Sequence, residues 1–356
     1  VGKTTISALT GLYFAKQGKK TAIVSIDPAH SIGDVLGAPV HNNPTPVGDF
    51  LDLYEIRLSE GLKRYWKEIH NYLVKLFRSQ GVQGWVAEEI AFLPGLDEIL
   101  SFLYLKELKP LYTIVVIDCP PTGSTLRFLN LPEAIEWYMR KIFPLERKVV
   151  ELVGPIVEKI SGVPLPDREV FTEVMELHEE IRSLKETLTH PEETFAQLVT
   201  TPEKVVLKES ERAFNYLSLQ GIPIRRIVVN RVQTSPPLEE VESLFAPVPC
   251  KYLPLLKEEP VGIHSLSDLT SFLEEDLSLP SYTPLRWYQE EDSYALSVDL
   301  RLPPEERKFL QVGRKGDDLI LTYGALRRII PLPFPLAVRN ISRAEWKGNS
   351  LTILFH

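Results

Sequence analysis

Apolar residues recur at helical intervals near the start of the chain and then close up into an unbroken run. Ile6, Leu9, Tyr13 and Phe14 share one face of a helix that the spacing predicts over 6–17. Gly18 ends it, and 20–26 reads as a strand buried on both faces. A second run, Tyr112-Thr113-Ile114-Val115-Val116-Ile117-Asp118, is mostly β-branched and ends in an acid. It predicts another buried parallel strand. Helix alternating with buried strand predicts an α/β fold, a mostly parallel central sheet flanked by helices.

The period stays helical through 133–190. Leu145, Val149, Leu152, Val153, Ile156, Val157 and Ile160 make one wide apolar face. Val170, Val174, Leu177, Ile181, Leu184 and Leu188 follow at alternating steps of four and three, a heptad seam. This helical insertion has two readings. Its faces pack on each other or across a dimer, or they line a groove for another protein's helix.

Toward the end the period changes to two. Pro280, Tyr282, Pro284 and Trp287 mark a linker, which places a first domain over 1–278. Tyr294, Leu296, Val298, Leu300 and Leu302 then alternate. Short apolar runs at 309–312, 319–322, 327–332 and 351–355, with a turn over 313–318, predict a small all-β sandwich over 290–356. That domain is short for a sandwich, so it is expected to lean on the first domain or on a partner.

Composition removes several classes. Lys and Arg total 40 against 48 Asp and Glu, a net charge of −8, so no global positive field exists to gather nucleic acid. Cys119 and Cys250 are the only cysteines and form no Cys-x-x-Cys pair, so no zinc site and no disulfide framework are expected. No apolar run reaches the ~18 residues of a membrane span. A cytoplasmic protein with reduced thiols is expected, peripheral to a membrane at most.

The chemistry concentrates at three places. Val1-Gly2-Lys3-Thr4-Thr5 is the second half of a phosphate loop, G-x-x-x-x-G-K-[ST]; its first glycine and the strand leading into it would precede Val1. Backbone N–H groups there, Gly2 included, point at phosphate oxygens. Lys3 would reach the β- and γ-phosphates, the Thr4 hydroxyl would ligate Mg²⁺, and Thr5 would reach the α-phosphate. Asp27 sits at the C-terminal lip of the first strand, where it either orients a water for attack or caps the next helix. Asp118 ends the second strand and would hold Mg²⁺ through a water. Gly123, which follows it, can bring a backbone N–H against a γ-phosphate.

These segments together resemble the ArsA/GET family of phosphate-loop ATPases. Asp27-Pro28-Ala29-His30-Ser31 with Asp34, and Asp118 followed by Pro121-Thr122-Gly123-x-Thr125-Leu126-Arg127, are similar to its two nucleotide switches. Pro94-Gly95-Leu96-Asp97-Glu98, Thr201-Pro202-Glu203 with 209–212, Val228-Val229-Asn230-Arg231, and Leu253-Pro254-Leu255 with Glu259-Pro260-x-Gly262 match further family segments in order. The likeness covers about 1–270. It implies an ATP- and Mg²⁺-dependent homodimer, with Asn230 at the adenine edge and Pro254 and Leu255 over the ring. The family's lysine that crosses to the partner's phosphate would precede Val1. The 316–319 turn and Arg327-Arg328-x-x-x-Leu332-Pro333 resemble the α-crystallin (small heat-shock) fold joined to some members.

The resemblance implies two activities. One is an ATP-driven switch that captures or delivers a hydrophobic client, helical or lipid-like, to a transient membrane partner. The alternative is the catalytic ATPase subunit of an arsenite efflux pump, an arsenite-transporting ATPase. Arsenite binds clustered thiolates, and two distant cysteines do not supply a three-thiol site. The terminal domain is either a brace or a further surface for the client.

Overall fold

The computed structural model describes residues 2–27, 31–40, 44–56, 66–91, 103–120, 168–233, 238–273, 282–290, 293–324 and 326–356. Helix α1 (Lys3–Lys16) enters directly from Gly2 and leads to β1 (Thr21–Ser25). A first sheet has the order β2 (Thr45–Gly48), β3 (Leu51–Glu55), β1, β4 (Ile114–Asp118). β1 runs parallel to both β3 and β4, with Ser25 opposite Asp118, and β2 is antiparallel to β3. A second sheet is all parallel: β5 (Ala196–Thr200), β6 (Ile224–Val232) and β7 (Cys250–Pro254).

All five residues of β1 are buried because helices cover both faces. Alternation along the strand divides them. Ile23 packs with Ile6, Leu9 and Leu12 of α1. Ala22 and Val24 face the opposite layer, with α3 (Lys67–Ser79) and α5 (Arg168–Thr189). The short helices α2 (Ile32–Leu36) and α4 (Gly84–Ala91) fall between these elements in sequence. Gly11 lets α1 approach closely, since a Cβ there would collide with the Ile23 side chain. One helix serves both sheets: Val116 of β4, Val199 of β5 and Val228 of β6 all meet the α1 core. Gln197 Nε2 of β5 also donates to Thr10 Oγ1 of α1 at 3.2 Å.

The heptad seam is not an open groove. Val170, Val174, Leu177, Ile181 and Leu184 are each 2–6% exposed and belong to the core beneath β1. Glu173 of α5 fixes the contact by accepting the backbone N–H groups of Glu68 at 2.8 Å and Ile69 at 3.0 Å, at the start of α3. The other predicted face, 145–160, and the segments 94–98 and 121–127 lie outside the described residues. No described helix is long and apolar enough to cross a membrane.

Helix α7 (Leu238–Phe245) precedes β7; beyond that strand come α8 (Ile263–Asp268), a 3₁₀ turn (Thr270–Leu273) and an all-antiparallel sandwich that includes the short helix α9 (Pro304–Arg307). One layer is β10 (Leu310–Lys315), β11 (Asp318–Tyr323) and β12 (Leu326–Pro331). The other is β13 (Ile341–Lys347), β14 (Ser350–Phe355), β9 (Ser293–Asp299) and β8 (Leu285–Glu290). Leu296, Val298, Leu319, Leu321, Leu351, Ile353 and Phe355 fill the space between.

Three expectations change here. The segment read as linker up to Trp287 contains β8, an edge strand paired with β9. The turn predicted over 313–318 shrinks to Gly316 and Asp317, because Arg314 and Lys315 continue the ladder opposite Leu319 and Asp318. β13 was not predicted; its sequence, Ile-Ser-Arg-Ala-Glu-Trp-Lys, carries few of the apolar positions that reveal a strand.

Helix α6 (Lys204–Gln220) joins the two halves. Its Leu219 is buried in the sandwich core. Asn215 Nδ2 donates to the Arg301 carbonyl at 3.1 Å, and its Oδ1 accepts the Arg301 N–H. Arg328, 8% exposed, donates to Gln220 Oε1 at 3.0 Å. Tyr282 and Arg286 both donate to the buried Asp299 carboxylate. The sandwich is thus seated on α6 by a shared core and buried hydrogen bonds.

Candidate nucleotide-binding site

The C-terminal ends of β1, β4, β6 and β7 converge on the start of α1. Parallel α/β sheets place ligands at this lip. Gly2 begins α1 in a left-handed conformation, φ 92°, and a Cβ there would collide with Asn230 Nδ2. Glycine is required on both counts. The first turn of α1 holds no acidic residue and no side-chain cap. Its N–H groups and the positive end of the helix dipole are left facing the lip, a geometry suited to an anion. Lys3, Thr4 and Thr5 follow, all half-buried.

Asp118 lies beside this turn, 1% exposed. Ser7 Oγ donates to its Oδ1 at 3.1 Å, and Oδ2 has no hydrogen-bond partner among the described residues. Burial pushes the carboxyl up to about 6; the nearby Thr4 and Ser7 hydroxyls pull it down, the charge of Asp27 raises it, and Lys3 lowers it. A buried carboxylate with one oxygen satisfied and the other orphaned suits a cation. Thr4 Oγ1, the other predicted Mg²⁺ ligand, is 3.3 Å from Ser31 Oγ. The residues present therefore fit Mg²⁺: a hydroxyl and a carboxylate, both oxygen ligands.

Asp27 lies past the end of β1 and is half-buried, close enough for its charge to bear on Asp118 and Cys119. The rest of its segment, 28–30, and Gly123 with the second switch lie outside the described residues. Ser31 and α2 are described, and Gly262 N–H donates to the Val35 carbonyl at 2.9 Å. Helix α2 is thereby tied to the loop that follows β7.

That loop forms one wall of a cavity of about 250 Å³, which reaches from Gly2 and Thr5 to Phe272. Asn230, Pro254 and Leu255 all line it. Arg231 lines it too, at φ 58°, a left-handed conformation uncommon for a side chain of this size. In that conformation its N–H donates to Asn230 Oδ1 at 2.9 Å, which orients the amide.

The cysteines are far apart in this frame. Cys119 follows Asp118 at the C-terminal lip, whereas Cys250 opens β7 opposite Ile227, at the other end of a parallel ladder. Burial pushes the thiols up, Cys119 to about 12 and Cys250 to about 11.

The structure brings together Gly2, Lys3, Thr4, Thr5, Asp27 and Asp118 around the start of α1, with Asn230 beside Gly2 and Pro254 and Leu255 on the wall of the adjoining cavity. Ser7, Ser31, Arg231 and Phe272 join them without having been singled out as site residues. Ser7 had a visible signal: it stands three residues after Thr4, on the same helix face, as a polar break between Ile6 and Ala8. Phe272 had none, since its place depends on how the 3₁₀ turn packs.

The family described as anion-transporting ATPase matches residues 1–275, and the HSP20-like domain found in ArsA matches 291–355. The chain is 32% identical to the putative arsenical pump-driving ATPase 1 of Aquifex aeolicus, over 99% of this chain and 96% of the relative. It is 30% identical to the putative arsenical pump-driving ATPase of Chlorobaculum tepidum, over 100% of this chain and 93% of the relative. It is also 30% identical to an ATPase ASNA1 homolog of Cryptosporidium parvum, over 65% of this chain and 62% of the relative. With both family models matched and the two bacterial identities sustained along nearly its whole length, the chain belongs to the ArsA family of anion-transporting ATPases and is an ATPase carrying that family's HSP20-like domain.

Proposed function

We propose that ATP lies along the α1 N-terminus with its base in the cavity beside Asn230, and that its hydrolysis in a homodimer drives capture or delivery of a hydrophobic client. The observation that carries the nucleotide part is the placement of Asp118, with one oxygen held by Ser7 and the other without a partner among the described residues, beside Thr4 and the start of α1. Lys3 and the first-turn N–H groups hold the phosphates. Thr4 and Asp118 would hold Mg²⁺, which would supply positive charge to offset that of the phosphates. Asp27 accepts a proton from the attacking water and aligns it. Asn230 and the walls formed by Pro254 and Leu255 position the base.

The client reading rests on family membership and on the apolar face that the sequence places over 145–160. The buried seam of α5 has no part in it.

Asp27→Asn tests the chemistry. Nucleotide affinity, followed by calorimetry, stays the same while turnover falls by about 10²–10³-fold. Turnover at the parent rate would remove Asp27 from the role.

A second reading, the catalytic subunit of an arsenite pump, is favoured by the names of the bacterial relatives. If it holds, arsenite acts without a thiol pair from one chain, since the two cysteines lie at opposite lips and both thiols stay protonated near neutral pH. Arsenite stimulation of turnover that vanishes in Cys119→Ser or Cys250→Ser would restore the thiol mechanism. Stimulation absent from the parent protein would remove the pump reading.

A further inference from the structure

We propose that the sandwich domain carries a docking site for an anionic lipid surface, built on the loop between β12 and β13. The loop makes one turn of helix, α10 (Phe334–Ala337), after Pro333. Leu336 points inward and is 3% exposed, whereas Phe334 is 81% and Val338 69% exposed. Four residues apart, Phe334 and Val338 lie on one side of the turn. With the exposed Pro333 and Pro335 they form an apolar knob. Single exposed apolar residues are ordinary, but a contiguous group on a rigid support marks an interaction site.

The support is rigid. The Arg314 guanidinium of β10 donates to the carbonyls of Ala337 and Arg339, closing the end of the turn. Asn340 and His356 exchange backbone hydrogen bonds, each at 3.0 Å, where the loop joins β13. Prolines on either side of Phe334 limit the backbone further. An exposed knob held this firmly has its ordering cost already met.

Charge selects the occupant. The chain carries a net −8, yet residues 301–356 hold ten Lys and Arg against five Asp and Glu. Arg314 and Arg339 flank the knob, with Lys315 exposed beside Arg314 and Arg343 exposed two residues into β13. Asp317 and Asp318 at the neighbouring turn offset part of this charge, and Arg343 pairs with Glu345 at 2.6 Å. A projecting apolar tip within a basic surround suits the headgroup boundary of an anionic membrane, where the tip enters the acyl edge and the cations meet lipid phosphates. A protein partner would ask for a broad complementary patch, and the knob projects rather than spreads.

Flotation of the whole protein with vesicles tests this. Phosphatidylcholine vesicles containing about a third phosphatidylglycerol should carry it, with binding weakened by salt, while pure phosphatidylcholine should carry much less. Phe334→Ser with Val338→Ser should reduce binding at least tenfold with an unchanged thermal midpoint, since both side chains are exposed. Val205→Ser, at an 82% exposed position on α6, should bind like the parent. Failure of the parent protein to float with anionic vesicles would overturn the proposal. So would a double variant that floats as the parent does, or a Val205→Ser variant that loses binding equally.

Discussion

The Ser7 hydroxyl donates to one carboxylate oxygen of Asp118 at 3.1 Å, across 111 residues of sequence. Thr4 and Ser7 are three residues apart on α1, so one helix face presents both the predicted Mg²⁺ hydroxyl and the group that sets the Asp118 rotamer. Ser7→Ala should therefore weaken Mg²⁺ without touching the phosphates. A hydrogen bond to a charged group contributes about 1.5–3 kcal/mol, so half-saturation by Mg²⁺ should rise at least about tenfold. Magnesium titration of the nucleotide-induced thermal shift measures it, and nucleotide binding in chelator should be unchanged. Equal magnesium dependence in parent and variant would show that Asp118 is oriented by something else.

Gly2→Ala should impair both halves of the site. Left-handed backbone costs a residue with a Cβ about 1–2 kcal/mol, and the new methyl meets Asn230 Nδ2. Nucleotide affinity should fall steeply. Asn230→Ala combined with Gly2→Ala should recover part of the lost stability, because it removes the clash but leaves the strain. Urea unfolding of the two variants and their combination separates these terms.

Asn215→Ala removes a side chain that satisfies both the N–H and the C=O of Arg301 where the sandwich meets α6. Leaving those groups partly buried should cost about 1–3 kcal/mol. Proteolysis should then cut first near 282–300. A loss confined to local cleavage, with the global midpoint intact, would indicate that the two halves unfold separately.

Cys250 should alkylate slowly. Burial pushes its thiol up to about 11, so little thiolate exists at pH 8. The rate should climb about tenfold for each pH unit until it levels near pH 11, following the thiolate fraction. Mass spectrometry after timed iodoacetamide treatment of Cys119→Ser gives the profile. A rate already level at pH 9 would mean a reactive thiol and would reopen the metalloid question.

Glu173→Ala should destabilise the fold by about 1–2 kcal/mol, the usual loss when a helix start loses its cap. This side chain serves two N–H groups of α3 from another helix. Chemical denaturation measures the change, and Glu173→Gln should retain part of the contact through its amide oxygen.

Much of the site was legible in the sequence because its chemistry demands particular residue types at short spacings. Gly2-Lys3-Thr4-Thr5 needs only four consecutive positions. Asp27 and Asp118 announce themselves as acids at the ends of apolar runs. Asn230, Pro254 and Leu255 were legible only through family likeness, and the structure places all three on one cavity. The 170–188 seam was legible as a helix face, but its partner was not. The same spacing serves a client groove or a core, and only the positions of β1 and α3 show it buried. β8 was hidden by the prolines before it, and β13 by its polar residues.

By itself, the sequence determined the local chemistry and the periods: a phosphate-loop turn, acid-tipped buried strands, a change from helical to alternating pattern. These follow from backbone geometry within a few residues. The tertiary structure decided what meets what: Ser7 with Asp118, Gly2 with Asn230, Glu173 with the start of α3, and Asn215 with Arg301. Those contacts depend on strand order and helix placement. Both are set by the summed burial of many side chains, which no short stretch of sequence carries.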